Sequence, residues 1–371
     1  MAAFAFYRLP YKQEYTLVMQ NDDDPEKFYS VDELNGKSGF VIAPFMPSET
    51  CPILLMQPDI IKTFNLTPKA EKKDFRKKNM TGSEQDGKQA NLNEMFTCKS
   101  LQKEKETYAD DFDYFHEQLG NGNFDKIVLA RCSHLESVSA AHVKAEDLFK
   151  KACEMYPRLF IALVSTTQSG TWLMATPEIL LSGNGCEFTT MALAGTQVAP
   201  PSQVVSKQPI EGVNWTKKDM EEQAYVADYI EDVITEFTEH YNKKGPFTTM
   251  AAQLYHLRTD FLFRLDDIDC LGDVLDELFP TPAICGIPKE ETRQFILDYE
   301  SIDRKYYSGF VGPLMPNGET HLYVSLRCMN IHQGGKFDLY AGGGLLAESE
   351  MEKEWLETEA KMQTMRKVVG K

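Results

Sequence analysis

The chain has 371 residues, 42% of them hydrophobic and 26% charged, which is enough apolar material for one large folded domain or two smaller ones. Its formal net charge of −17 argues against nucleic acid or an anionic membrane surface as a partner. No apolar run reaches the length of a membrane helix, and residues 1–10 lack the basic start and apolar stretch of a secretory signal.

The eight cysteines are scattered along the chain, and no two form a CxxC pair. This distribution is typical of free thiols in a reducing compartment, and it offers no zinc-ligand spacing. We therefore expect a cytoplasmic protein without a zinc site.

In chain order, the first hundred residues carry the fewest signals. Apolar runs at 40–43 and 53–56 predict strands, and the charged stretch 68–89 predicts a solvated helix or loop. Further strands are predicted at 126–131, 160–166, 171–176, 188–196, 321–327 and 337–344. Helices are predicted at 143–155, 218–241, 289–297 and 350–369, with a loop at 197–214.

The predicted strands come in neighbouring pairs rather than alternating with helices, which favours an α+β fold with large antiparallel sheets. Thr216-x-x-Asp219 and Ser349-x-x-Glu352 predict capping boxes at two helix starts. The sequence has no Rossmann or phosphate-loop motif, because the glycines at 342–344 lack the required spacing.

The C-terminal helix carries Glu354, Glu357 and Lys361 at i, i+3 and i+7, so the three share one face. A solvated helix face would give the same pattern. The preceding glycines, however, let backbone N–H groups approach an anion closely, while the paired acids suit a cation. Together they suggest a carboxylate substrate bound through Mg²⁺.

A second acid pair, Asp219 and Glu222, lies three residues apart at the start of another predicted helix. Acids in a first turn are also favoured by the helix dipole, so the pair alone does not indicate a site. Four acids without a nearby His or Cys suit Mg²⁺, which prefers oxygen ligands.

Three further residues are candidates for the site, and two of them carry two interpretations. Lys126 starts a strand and is either a solubilising edge lysine or a general base whose pKa is lowered in a closed cleft. Glu178 follows a strand and a proline and is either an exposed turn residue or a protonated general acid. Arg327 ends an apolar strand and, if buried, needs an anionic partner such as a substrate carboxylate.

These pieces resemble the chorismate-utilising enzymes, which include isochorismate synthases, salicylate synthases and the synthase components for anthranilate and aminodeoxychorismate. The similarity runs from about Phe124 to Lys371. It is carried, in order, by KIVLAR, TPEILLSG, MALAGT, KDMEEQAYV, YHLRT, LFPTPAICGIPKEET, YYSGFVG, VSLRCMNI and LYAGGGLLAESEMEKEWLETEAK.

The resemblance implies a single α+β domain over 1–371, of the anthranilate synthase component I type, with two packed antiparallel sheets, outer helices and a deep cleft. Residues 1–100 are expected to form a shortened N-terminal part and 124–371 the catalytic part. By resemblance Glu222 and Glu357 bind Mg²⁺, with Asp219 and Glu354 holding its waters. The implied substrate-binding residues are Gly195, Thr196, His256, Ala283, Tyr307, Arg327, Gly342, Gly344 and Lys361.

The nucleophile distinguishes the subfamilies. Lys126 resembles the water-activating lysine of isochorismate and salicylate synthases. Ala194 stands where aminodeoxychorismate synthases commonly have a nucleophilic lysine. Water is therefore the expected nucleophile, with Lys126 as base and Glu178 as acid. Ala283 matches isochorismate synthases, where salicylate synthases tend to have threonine. Isochorismate synthase is thus the leading function and salicylate synthase the alternative.

A third hypothesis is a non-catalytic subunit that binds a partner such as a glutamine amidotransferase. The joint presence of Lys126, Glu178, Glu222 and Glu357 disfavours it. We expect chorismate as substrate and no obligate protein partner, nucleic acid or membrane. Whether the product would enter menaquinone or siderophore synthesis stays open. Phe279, Gln223 and Met220 depart from the family pattern, where histidine, histidine and arginine are usual.

Overall fold

A computed structural model describes residues 2–66, 86–137, 143–199, 210–251, 254–315 and 318–370, with side chains of the first helix from residue 101. The strands are β1 Ala3–Arg8, β2 Glu14–Gln20, β3 Glu26–Phe28, β4 Gly39–Ala43, β5 Ile53–Met56, β6 Ile60–Asn65, β7 Lys126–Glu136, β8 Phe160–Thr166, β9 Gly170–Thr176, β10 Ile179–Asn184, β11 Glu187–Val198, β12 Tyr241–Ala251, β13 Leu254–Arg264, β14 Gly286–Ile287, β15 Phe310–Leu314, β16 Glu319–Val324, β17 Cys328–His332 and β18 Lys336–Leu345. The α-helices are α1 Asp86–Gly120, α2 Ala145–Met155, α3 Lys217–Phe237, α4 Leu271–Leu278, α5 Lys289–Tyr299 and α6 Met351–Val369.

The strands form two nine-stranded sheets. The first has the order β14-β7-β18-β17-β9-β8-β1-β2-β6, and the second β12-β13-β11-β10-β16-β15-β4-β5-β3. Neighbouring strands pair antiparallel throughout both sheets, for example β7 with β18 and β11 with β13. The predicted α+β class with two antiparallel sheets is confirmed.

Alternation along β4 shows how the layers pack. Phe40 and Ile42 lie in the apolar cluster between the two sheets, together with Trp172 of the first sheet. Val41 and Ala43 point the other way, into a cluster that includes residues of α3 and α4. Because successive side chains of a strand face opposite sides, a fully apolar strand such as this one is expected where both faces are covered. Helices α2 and α6 cover the outer face of the first sheet in the same way.

Two neighbouring segments of the chain connect one sheet to the other. The chain crosses from β9 to β10 through Pro177 and Glu178, and from β16 to β17 through Ser325, Leu326 and Arg327. Backbone hydrogen bonds join the two crossings, from Val324 N to Glu178 O at 3.0 Å and from Ala175 N to Arg327 O at 3.2 Å. The sheet crossings therefore place Glu178 and Arg327 near each other, although 149 residues separate them.

Several predicted bounds are confirmed, and others are wrong. Helix α3 begins at the predicted capping box, with Thr216 and Asp219 bonded reciprocally. It ends at Phe237 rather than at the predicted residue 241, and Tyr241 already belongs to β12. The strand predicted at 321–327 ends at Val324, where the chain turns to cross between the sheets.

The capping box predicted at Ser349-x-x-Glu352 is wrong. The N-cap of α6 is Glu350, with no side-chain cap, and the Ser349 hydroxyl instead accepts from Leu346 N at 3.1 Å. The sequence prediction missed α1 and α4 and ten strands, namely β1, β2, β3, β6, β10, β12, β13, β14, β15 and β17. Within the charged stretch 68–89, residues 68–85 lie outside the described residues, as do 200–209 of the predicted loop. In the part of the chain that is described, no helix combines the length and apolar character needed to cross a membrane.

Candidate active site

A cleft opens between the two sheets where β7, β18 and the sheet crossings meet α3 and α6. The space inside it, counted out to its mouth, is about 600 Å³. Its lining includes Val128, Pro177, Glu178, Leu193, Ala194, Gly195, Thr196, Glu222, His256, Ala283, Ile284, Tyr307, Leu326, Arg327, Tyr340, Ala341, Gly342, Gly344 and Lys361. A concave site where several polar groups converge is typical of a small-molecule site.

Lys126 is fully buried at the start of β7, which excludes the edge-lysine interpretation. Its Nζ lies 3.3 Å from Glu222 Oε1. Burial lowers the pKa of Lys126, while Glu222 and Glu178 oppose this shift and Lys361 adds to it. A lysine with a lowered pKa is a better proton acceptor near neutral pH than an exposed one.

Glu178 is also buried, so it is not an exposed turn residue. Burial raises the pKa of its carboxyl to about 8, although the cations Lys126, Lys361 and Arg327 pull in the opposite direction. The carboxyl is therefore mostly protonated at neutral pH, and it has a proton to donate. Its neighbour Pro177 fixes the local backbone where the chain leaves β9.

Arg327 is buried at the second crossing, with a backbone φ of 47°. A non-glycine residue in this left-handed region costs about 1–3 kcal/mol, and such strain is concentrated at functional sites. Its Nη1 has no hydrogen-bond partner among the described residues. Burial lowers the pKa of Arg327 to about 10, so the guanidinium stays charged. A buried cation with an unpaired donor is suited to an anionic ligand.

The second terminal nitrogen of the Arg327 guanidinium is held by His256. Arg327 Nη2 lies 2.9 Å from His256 Nε2, and His256 Nδ1 lies 3.0 Å from Gly195 O. Because a carbonyl oxygen only accepts, Nδ1 carries the proton and Nε2 accepts from the arginine. Burial and the charges of Arg327 and Lys361 lower the pKa of His256 well below its ordinary value, which keeps the ring neutral.

The three glycines lie within β18 rather than after it, and Gly342 and Gly344 line the cleft. A Cβ on Gly344 would lie 2.3 Å from Glu222 Oε1 and 2.8 Å from Lys126 Cε. A Cβ on Gly342 would lie 2.9 Å from the Tyr307 hydroxyl. Both glycines thus leave the room that cleft side chains occupy.

Acids and lysines are paired where the cleft adjoins a second pocket, which is lined by Lys218, Glu354 and Glu357. Lys218 contacts Glu354, and Lys361 Nζ lies 2.7 Å from both Glu357 Oε1 and Gly342 O. Burial and the nearby Glu357 raise the pKa of Glu354 against the pull of Lys218. For Glu357 the upward effect of burial is outweighed by Lys361 and Lys218, which lower its pKa.

The donor set fits Mg²⁺ in its chemistry. Glu222, Glu354 and Glu357 offer only carboxylate oxygens, as a hard cation prefers, and all three act on the pKa of Lys218. These oxygens are not gathered within 4.8 Å of one another in the described part of the chain. Each glutamate is instead opposite a lysine, so an ion held there would replace lysine charge.

Asp219 is engaged elsewhere, which matters for its predicted role. Its Oδ2 accepts from Thr216 N at 3.0 Å and from Gln197 Nε2 at 3.3 Å, so the carboxylate caps α3. To hold a metal-bound water as well, the Asp219 carboxylate would have to accept a further hydrogen bond beyond these. Of the predicted residues, Asp219, Glu354 and Glu357 line a neighbouring pocket rather than this cleft, and the fully buried Lys126 is not part of the cleft lining.

Sequence reasoning missed two polar groups of the site. Lys218 was unrecognised, although its place four residues before Glu222 on one face of α3 was a usable signal. Gln223 is buried and bonds β11, accepting from Ala194 N at 2.9 Å and donating to Ala192 O at 3.2 Å. The other two departures from the family pattern lie outside the cleft, since Phe279 packs on Phe310 in the core and Met220 is 42% exposed.

Comparison with known proteins gives the family. The chorismate binding enzyme model matches residues 47–370, and the chain belongs to this family. Isochorismate synthase DhbC of Bacillus subtilis is 29% identical over 275 residues, which are 72% of this chain and 68% of that protein. Isochorismate synthase EntC of Escherichia coli K12 is 28% identical over 247 residues, which are 66% of this chain and 62% of that protein.

The match thus spans about two thirds of these relatives' length. Among solved structures, MenF, the menaquinone-specific isochorismate synthase from Escherichia coli, has the same fold with a TM-score of 0.74. It is 22% identical, and the alignment covers 99% of this chain and 88% of that one.

Proposed function

We propose that this chain is an isochorismate synthase that uses Mg²⁺ and converts chorismate to isochorismate. One observation carries the proposal: a buried lysine with a lowered pKa and a buried glutamate with a raised pKa belong to the same site. Environments that push two titratable groups in these directions identify a base and an acid. The similarity to DhbC and EntC supports the same assignment.

Binding follows from the cations of the cleft. The unpaired Nη1 of Arg327 and the Tyr307 hydroxyl would receive the enolpyruvyl carboxylate of chorismate. Burial raises the pKa of Tyr307, so its hydroxyl remains a donor. Lys361, which also lines the cleft, would face the ring carboxylate. Because the whole protein is negative, these buried cations supply the attraction for a dianion.

The proton transfers are balanced. Lys126 Nζ takes a proton from a water molecule as the oxygen of that water bonds to ring carbon C2. The double bonds shift, and the C4 hydroxyl leaves as water with the proton of Glu178. The net change is loss of the hydroxyl at C4 and gain of a hydroxyl at C2 whose oxygen comes from water. Later proton exchange with solvent resets both residues. Mg²⁺ bound by Glu222 and Glu357, with Glu354 nearby, would neutralise the ring carboxylate and orient it.

The test is a product analysis. Purified protein is incubated with chorismate and Mg²⁺, the products are separated by chromatography, and a parallel sample contains EDTA. Isochorismate alone, lost with EDTA and restored by added Mg²⁺, is expected. Salicylate with pyruvate would instead support the salicylate synthase alternative and show that Ala283 does not decide the outcome. No conversion with Mg²⁺ would overturn the proposal.

A further inference from the structure

A second group of metal-ligating side chains lies outside the cleft, at the far end of β7. The Cys132 sulfur, a ring nitrogen of His134 and a carboxylate oxygen of Asp338 all lie within 4.8 Å of one another. His134 Nδ1 is 2.6 Å from Asp338 Oδ1. On the other side of the carboxylate, His332 Nε2 is 2.8 Å from Asp338 Oδ2. Cysteine, histidine and aspartate thus meet on one sheet surface.

Strand register explains the meeting. Cys132 and His134 are two residues apart on β7, so they share a face. Asp338 of β18 stands directly opposite His134, and Asn330 of β17 stands opposite Asp338. His332, two residues beyond Asn330, reaches the carboxylate diagonally from the third strand. No spacing along the chain announces this group, because its members lie on three separate strands.

The dimensions suit a four-coordinate ion. Zinc binds sulfur at about 2.3 Å and nitrogen or oxygen at about 2.0–2.2 Å, so tetrahedral ligands lie roughly 3.3–3.7 Å apart. The three ligand atoms lie within 4.8 Å of one another, and His134 Nδ1 is 2.6 Å from Asp338 Oδ1, so shifts of about 1 Å would bring them into that range. We propose that Cys132, His134 and Asp338 form a site for a zinc-like divalent cation, with His332 as the residue that orients the carboxylate.

Neighbouring groups favour a soft or borderline ion over Mg²⁺. One sulfur and one nitrogen donor select zinc or cobalt, whereas the all-carboxylate acids of the cleft select a hard ion. The His134 side chain is 72% exposed and that of His332 is 42% exposed, so solvent reaches the site and can supply the fourth ligand. Asp338 is shielded beneath them, with its side chain 19% exposed.

The thiol of Cys132 lies beside the hydrogen-bonded histidines and aspartate without being needed to hold them together. His134, Asp338 and His332 would form a hydrogen-bonded chain without it. Burial and the carboxylate of Asp338 raise the pKa of Cys132 to about 12, so the free residue is a thiol and metal binding must displace its proton. Tyr340 lies beside the sulfur and bonds to it.

An ion here would join β7 and β18, and through His332 also β17. These strands carry Lys126 and the glycines of the cleft at their other ends. The site therefore goes beyond the proposed catalysis and can be tested without measuring turnover. A bound ion would raise the unfolding temperature, because it binds only the folded arrangement of the strands.

The experiment uses Co²⁺ as the probe, added to reduced full-length protein in excess Mg²⁺. A Co²⁺–thiolate bond gives a charge-transfer absorption that carboxylate ligands do not produce. We expect one equivalent of Co²⁺ to generate this band, and Zn²⁺ to abolish it by competition. Cys132→Ser should remove the band, and His134→Ala should weaken binding at least tenfold.

Two further variants make the design specific. Cys186→Ser removes another half-buried cysteine away from the cluster and should leave the band unchanged. His332→Ala should weaken binding about 10- to 100-fold, as loss of an orienting partner does, while His332→Gln should restore much of it. Absence of the band in the wild type, or its persistence in Cys132→Ser with far-UV circular dichroism unchanged, would overturn the site.

Discussion

Lys126 Nζ and Glu222 Oε1 lie 3.3 Å apart in the gap that Gly344 leaves open. The lysine comes from β7 and the glutamate from α3, so the pair joins the first sheet to a helix packed on the second. The lysine is completely buried, whereas the glutamate side chain is 14% exposed at the cleft. An incompletely compensated buried cation of this kind is prepared to lose its proton.

Replacing Lys126 by Gln should reduce conversion of chorismate by at least about 10²–10⁴-fold, the usual contribution of a general base. The amide keeps polar contact with Glu222, so the fold should persist. Rates by chromatography and circular dichroism on the same sample check this. Lys62→Gln, on an exposed edge strand, is the matched control. Near-wild-type turnover in Lys126→Gln would remove the lysine from the mechanism.

Gly344→Ala should lower activity strongly and stability little. Its Cβ would meet the ends of two side chains, Glu222 Oε1 at 2.3 Å and Lys126 Cε at 2.8 Å, and these can move aside. The fold therefore adapts, but the base is displaced from its position. Loss of activity with an unfolding temperature within a few degrees of the wild type is expected.

Gly343→Ala is the matched control on the same strand. Its Cβ would be 3.4 Å from Glu357 Oε1 and 3.5 Å from Glu354 Oε2, which are ordinary contacts. It should keep much more activity than Gly344→Ala. Equal activities of the two variants would show that the gap at Gly344 does not position Lys126.

The pH profile of kcat/KM should be bell-shaped. A raised pKa of about 8 keeps Glu178 protonated below that pH, and the acid form is lost as the pH rises through it. Lys126 must be neutral to accept a proton, so activity falls as the pH is lowered through its depressed pKa. Glu178→Gln should reduce the rate and remove the alkaline limb near pH 8. An unchanged alkaline limb in this variant, with Glu319→Gln as the exposed control, would assign the limb to another group.

Arg327→Lys should raise KM more than it lowers kcat. The substitution keeps a charge but loses the planar fork that reaches His256 at one nitrogen and presents the unpaired nitrogen to the cleft. A lost charge-assisted hydrogen bond costs roughly 1.5–3 kcal/mol, which is about 10- to 150-fold in KM. Steady-state kinetics measures this, with Arg264→Lys on the exposed end of β13 as control. An unchanged KM would exclude the substrate contact.

The sequence by itself determined the α+β class, the family, and from residue 124 onward most helices and half of the strands. Apolar alternation, capping at Thr216 and long ordered motifs are local properties, and local rules read them correctly. Whether residues 1–100 are shortened stays a prediction; those described contribute β1 to β6 to both sheets.

The tertiary structure decided what each polar residue experiences. Lys126 and Glu178 had an exposed and a buried interpretation, and only packing of the two sheets showed that both are buried. For the glycines of β18, only the tertiary contacts showed that Gly344 leaves room for Glu222 and Lys126. The group around Cys132 was invisible in the sequence for the same reason. Burial and proximity across strands depend on the pairing of distant segments, and these set a pKa or assemble ligands.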